Sequence, residues 1–377
     1  MIKVARGCLK DEELAEVRDA FEYGYFGLAA KVDEFERALE AFLGSPHVIA
    51  VNTGTSALHL ALDALGIGHG DEVLVPSLTF VASYQAITMT GATPVSCEVS
   101  PDTLLLDLED MERRLTERTR AVMPVHYAGN PCDMDRILSW AEKNSLRVVE
   151  DAAHAFGSFY KGKRIGGFGD IACFSFDSIK NITCGEGGAI AFRDDSLVDL
   201  LKKKRLLGIH RPRHSSTSWK ERPWRYDVSV PGFRYHMSNI NAAIGLAQLK
   251  KVEQFLERRR AVCARYQKGL SSLSGLTLLD IPYDSIAPHI FVVRVPGGRR
   301  DRLMQFLRDR DIETGISYIP NHMHSFYHQE GLSLPVTERV FQEILTLPLH
   351  FELSDEEVDK VIGSIGEFFS QEARTSP

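Results

Sequence analysis

Three short stretches carry residue types that can do chemistry together. The run FSFDSIKNITCGEGGAI, Phe174 to Ile190, holds one lysine, Lys180. Ser175 lies five residues before it and a glycine-rich GEGG turn begins five residues after. A lysine amine can form a Schiff base with an aldehyde, and the glycines allow a ligand to approach closely. Asp151 follows the apolar run LRVV, so it falls at the carboxyl end of a strand, with Glu150 and His154 close by. The segment NTGTSALHL, Asn52 to Leu60, leads small and hydroxyl residues directly into a helix. Free backbone N–H groups and the helix dipole suit that start to a phosphate. Each feature alone has an ordinary reading: a solvated surface lysine, a strand-end acid capping the next turn, an N-cap by Thr53 or Thr55. Together they are the parts of a pyridoxal 5'-phosphate site. The lysine takes the aldehyde, the acid pairs with the pyridinium nitrogen and keeps the ring an electron sink, and the helix start takes the phosphate.

The elements that must position these residues are legible as strand–helix pairs. HVIAV, EVLVP, RAVMPVH and LRVVEDAA read as short buried strands. TGTSALHLALDAL, TFVASYQAITMTG (ending at Gly91) and DMDRILSWAEKN carry helical spacing. Such alternation predicts an α/β fold, a mainly parallel sheet covered on both faces, with ligands outside the carboxyl ends of the strands. From Ser238 the pattern changes to a long helical stretch without proline, running to Leu270 and linking to a smaller C-terminal domain. That domain opens with the strand HIFVVRVP and closes with a helix capped by Ser354, with acids in its first turn. The tail from Ser370 is expected to fray.

The stretches GTSALHLALDALGIGHGDEVLVPSLTFVAS, VVEDAAHAFGS, CFSFDSIKNITCGEGGAI and MSNINAAIGLAQL resemble the DegT/DnrJ/EryC1/StrS family of pyridoxal-phosphate-dependent sugar aminotransferases. The resemblance runs from about Asp11 to LTLPLHFELSDEEVDKVI near the C-terminus. It implies a fold-type-I transferase: a mainly parallel seven-stranded sheet in a large domain, residues 1–250, and a small α+β domain, residues 251–377. It also implies that Lys180 is the Schiff-base lysine (the internal aldimine) and Asp151 the pyridinium partner. Ser175, with the backbone of Thr55 and Ser56 after Gly54, would hold the phosphate. Phe80 would stack on the ring, and His154 would lie near its phenolic oxygen. His322, in YIPNHMH, matches a histidine near the sugar site. The implied reaction is ping-pong transfer of an amino group from glutamate to a nucleotide-linked keto-sugar. The implied assembly is a homodimer with shared sites. Two alternatives stand beside it: a sugar dehydratase of the same family, where histidine replaces the lysine, and a non-catalytic regulatory protein on the same fold.

The chain departs from the family at GFRYHM, Gly232 to Met237. Relatives read GYNYRM there, and an asparagine reaches the neighbouring subunit's phosphate; here Arg234 and His236 stand at the candidate positions. Asp177, three residues before Lys180, is expected to point away, because a carboxylate beside a phosphate is costly. Arg211 and Arg213 are assigned to a loop that binds the substrate's diphosphate. His322, His324 and His328 have one metal-like spacing but no cysteine or acid cluster to complete it, so no metal is expected. The run KKKR, Lys202 to Arg205, reads as a solvated helix face.

Composition narrows the class. Of 377 residues, 44% are hydrophobic and 25% charged, which fits a globular protein of one large or two domains. The net charge of -7 does not favour nucleic acid. No apolar run is long enough to span a membrane and the N-terminus lacks a signal-peptide core. Six cysteines without a CxxC pair suit reduced thiols, so a cytoplasmic location is expected.

Overall fold

The computed structural model of the chain describes residues 1–210 and 226–375. Its centre is a seven-stranded sheet in the order His47–Val51, Gly188–Phe192, Ile171–Ser175, Arg147–Asp151, Thr119–Val122, Glu72–Pro76, Thr93–Cys97. Gly188–Phe192 runs antiparallel to both neighbours, and every other pairing is parallel. The carboxyl ends of six strands therefore share one edge with the start of the seventh. Sequence alternation sends successive side chains to opposite faces. Ala172 and Phe174 pack with Phe35 and Phe156 on one side, while Ile171 and Cys173 pack with Leu58 and Leu60 on the other. Burial on both faces is why these strands read as unbroken apolar runs.

The smaller unit is a three-stranded antiparallel sheet, Thr277–Leu278, Phe291–Arg294 and Ile344–Leu347. The helices Val252–Leu270, Arg300–Arg308 and Asp355–Thr375 complete its core. The N-terminal residues join this unit: Ile2 pairs with Ile312, and Val4 O accepts from the Leu349 amide at 3.0 Å.

Three local expectations change. The stretch from Ser238 is two helices, Asn239–Lys250 and Val252–Leu270, broken at Lys251. The Lys251 ammonium is tied to Glu13 at 2.5 Å and to Glu12 at 3.4 Å, on the N-terminal helix Asp11–Tyr23. The tail does not fray at Ser370: the last helix runs to Thr375, pinned by Arg302 to Glu372 and by Arg310 to Glu367. Nor is KKKR a uniformly solvated face. Lys204 pairs with Asp63 at 2.6 Å, and Arg205, only 4% exposed, pairs with Glu36 and donates to Ala50 O at 2.8 Å. Both carboxylates come from distant segments, so local sequence gave no sign of them.

Candidate active site

The strand His47–Val51 leads through Asn52 and Thr53 into the helix Gly54–Ala64. Thr53 caps it, accepting the Ser56 amide on Oγ1 at 3.0 Å. A side chain at Gly54 would place its Cβ 2.8 Å from Ser175 Cβ. Helix start and strand end thus touch only because residue 54 is glycine. The amides of the first turn have no partner within the helix, and with the helix dipole they form a seat for an anion. Ser56 does not line the cleft beside this start. Its amide is engaged by Thr53, and its buried hydroxyl donates to Asn52 Oδ1 at 2.6 Å.

An open cleft with about 1050 Å³ of free space, part of it open to solvent, lies along this edge. Its walls bring together Gly54, Thr55, Phe80, Asp151, His154, Ser175 and Lys180 from separate segments. Asp151 ends its strand and is buried. Its carboxylate accepts from Ser83 Oγ at 2.7 Å and from the Ala153 amide at 3.1 Å. Burial pushes its pKa up, against the pull of Ser83, the Ala153 amide, Lys180 and His126. Glu150 projects to the other face of the strand. There it meets His126 at 3.0 Å and accepts from the Phe168 and Gly169 amides.

Lys180 sits in the turn beyond the strand Ile171–Ser175, its amide donating to Asp177 O at 3.1 Å. Burial drives its amine down to about 8; Asp151 and Asp177 oppose that shift, and Arg259 adds to it. A lysine of this kind supplies a neutral amine far closer to physiological pH than a solvated one does. Asp177 does not point away, as the sequence suggested: it lines the same cleft, as does Glu186. Phe80 is at the rim, 54% exposed, its ring 5.5 Å from that of Tyr318.

Three residues of the site escaped the sequence reading. Ser83 orients Asp151. Tyr318 lines the cleft and meets His154 Nε2 at 2.9 Å. His289 reaches Lys180 Nζ at 3.3 Å from the smaller unit. Ser83 ends the stretch LTFVAS and Tyr318 opens YIPNHMH, where the sequence points to Phe80 and His322 instead; His289 stands just before a strand whose apolar pattern hides it.

Other proposed residues lie apart. His322 is buried outside the cleft lining, held by Ser77 Oγ at 2.7 Å and Glu338 at 3.3 Å. Its neighbour Asn321 fastens this loop to the carbonyls of Ser77 and Thr79. Arg234 is exposed and does not line this chain's cleft, and His236 pairs through its backbone with Val51. Arg211 and Arg213 lie outside the described residues.

The residues present fit pyridoxal phosphate. An amine able to lose its proton near neutrality, a buried carboxylate and a glycine-opened helix start converge on one cleft. Fold and site define a fold-type-I pyridoxal-phosphate-dependent aminotransferase. The chain belongs to the DegT/DnrJ/EryC1/StrS aminotransferase family, whose model matches residues 7–366. It is similar to the aminotransferase TlmJ from Streptoalloteichus hindustanus, with 36% identity over 99% of this chain and 100% of that one, at a TM-score of 0.92. The sugar aminotransferase CalS13 from Micromonospora echinospora matches at 30% identity over 97% and 100% of the two chains, with a TM-score of 0.89. Spr1654 from Streptococcus pneumoniae, solved in its pyridoxal-phosphate form, matches at 30% identity over 98% and 99%, with a TM-score of 0.89. Its pyridoxamine-phosphate form is also similar. Among the described residues, no helix is long and apolar enough to cross a membrane.

Proposed function

We propose that the protein transfers an amino group from glutamate to a nucleotide-linked keto-sugar, in two half-reactions that alternate at one site. The observation that carries this reading is Lys180: a lysine whose amine is lowered to about 8 by burial, in one cleft with Asp151. When bound, the cofactor supplies an electron sink for the carbon that gives up its proton. Lys180 would hold the cofactor through its aldehyde, and as a free amine would move a proton at the substrate carbon as general base and then general acid. Asp151, oriented by Ser83 and the Ala153 amide, holds a proton on the ring nitrogen. Gly54, Thr55 and Ser175 would receive the phosphate, and Phe80, at the rim, would lie beside the ring. His154, whose pKa burial drives well below the ordinary value, serves as a neutral hydrogen-bonding group.

The phosphate end supports the homodimer. Among the described residues of one chain Lys180 is the only lysine or arginine lining the cleft, which Asp177 and Glu186 also line. A phosphate seated there needs a cation, and exposed Arg234 of a second copy is our assignment for it.

The test is a panel of dTDP-, UDP- and GDP-linked 3- and 4-keto-sugars incubated with glutamate and read by mass spectrometry. Formation of an aminated sugar, abolished in Lys180→Ala together with the visible absorbance of the bound cofactor, is the expected result. A Lys180→Ala protein that keeps both would sink the assignment. If wild type consumes glutamate but aminates only ketones without a nucleotide, the substrate class is wrong.

A further inference from the structure

Among the described residues, the hydrogen-bond partner of the Lys180 amine is a histidine rather than an acid. His289 Nε2 lies 3.3 Å from Lys180 Nζ, and no carboxylate stands within ion-pairing distance of that nitrogen. The histidine is 3% exposed and fixed from both sides of its backbone. Its amide donates to Ala128 O at 3.1 Å, and its carbonyl accepts from Arg259 Nη1 at 3.1 Å. The approach of these segments is close: a Cβ on Gly129 would fall 2.1 Å from Ala287 O. The imidazole lies against that of His154, ring centroids 4.3 Å apart, and its Nδ1 has no partner. So the smaller unit presents one ring nitrogen to a lysine of the larger unit, and the backbone on both sides holds it there.

We propose that His289 is a positioning residue for the reacting amine: its Nε2 holds Lys180 Nζ at the cleft whenever that amine is not bonded to the cofactor.

The choice of histidine follows from charge. The groups facing Lys180 are Asp151 and Asp177, which favour its ammonium form, and Arg259, which opposes it. The groups facing His289 are Lys180, His154 and Arg259. Burial, with the neighbouring Lys180, His154 and Arg259 opposing a further positive charge, keeps His289 well below its ordinary pKa, so it is a neutral acceptor. A carboxylate at the same distance would fix the amine's position but also hold its proton, and the base would be lost. A neutral imidazole directs the amine without that penalty. His154 does not serve the purpose, since its two ring nitrogens are engaged by the Ala128 amide and the Tyr318 hydroxyl.

This inference rests on Lys180 being the reacting amine, which the Lys180→Ala test above examines separately. Three variants of the full-length protein isolate the role of His289. His289→Phe keeps the bulk of a ring and removes Nε2. His289→Gln puts an amide at the position of Nε2. His289→Asn puts one at the position of Nδ1, short of the lysine. Each is loaded with pyridoxamine phosphate, which leaves Lys180 free, and pulsed with acetic anhydride across pH. Acetylation of Lys180 is read by mass spectrometry. The wild-type midpoint, lowered by burial from that of a free lysine, is the reference. His289→Phe should titrate lower, because the ammonium loses its acceptor while remaining buried. Its kcat should fall about tenfold or more with both KM values little changed. Gln should restore the midpoint and the rate, and Asn should not. A His289→Phe protein with the wild-type midpoint and kcat would overturn the proposal. So would equal losses in all three variants that follow thermal stability, because a purely structural histidine behaves that way.

Discussion

Removing the charge of Lys180 should stabilise the cofactor-free protein, and the gain should vanish as pH rises. The amine has a pKa of about 8 in the fold against 10.5 for the free side chain, because burial disfavours the ammonium. Below pH 8 both states are protonated and the folded state carries the full desolvation cost. A separation of this size is worth up to about 3 kcal/mol, and the water that enters the cleft trims it. Between 8 and 10.5 the unfolded chain binds the extra proton, so wild-type stability rises with pH through that window. Lys180→Met keeps the length and apolar bulk of the side chain without the charge. At pH 7 it should be the more stable by about 2–3 kcal/mol from this source, falling to about 1 kcal/mol near pH 9.5. Urea unfolding of both proteins at one concentration, from pH 7 to about 9.5, measures the gap directly, and groups common to both cancel. A gap that stays flat across the window would mean that the folded ammonium is solvated, and the case for a neutral amine near physiological pH would collapse.

Two further substitutions probe the scaffold. Gly54→Ala drives a Cβ to 2.8 Å from Ser175 Cβ, so helix start and strand end must part; overpacking of this kind costs about 1–3 kcal/mol. Pyridoxal-phosphate affinity should drop at least tenfold by equilibrium dialysis, and unchanged affinity would show that the contact does not shape the phosphate seat. Arg205→Met leaves Glu36 buried with the Ala50 amide, at 2.8 Å, as its remaining hydrogen-bond donor among the described residues; a broken buried pair costs about 3–5 kcal/mol. The double variant Glu36→Met/Arg205→Met should recover most of that loss in urea unfolding, and simple additivity of the two single losses would contradict the buried-charge argument.

What the sequence disclosed and what it concealed divide along one physical line. The strands His47–Val51 and Glu72–Pro76 are buried along nearly their whole length, so their apolar runs are visible in isolation, whereas the edge strand Thr93–Cys97, with Thr93 exposed, carries no such run. The strand-end position of Asp151 follows from the length of LRVV alone. Gly54, Ser175 and Lys180 stand in local motifs whose chemistry is recognisable before any fold is known. Contacts that close over long separations leave no such trace. Glu36 meets Arg205 across 169 positions, and Lys180 meets His289 across 109. The run KKKR reads as a solvated face only while Asp63 and Glu36 are out of view. His322 stood out because it sits in a motif, yet the structure seats it behind the cleft, where Ser77 and Glu338 hold it, and sets Tyr318 in the wall instead. The same logic bears on Lys180. Its identity as a lysine between apolar and glycine segments is local and was legible. Its protonation is not local: burial by the assembled fold sets it, and the charges of Asp151, Asp177 and Arg259 adjust it.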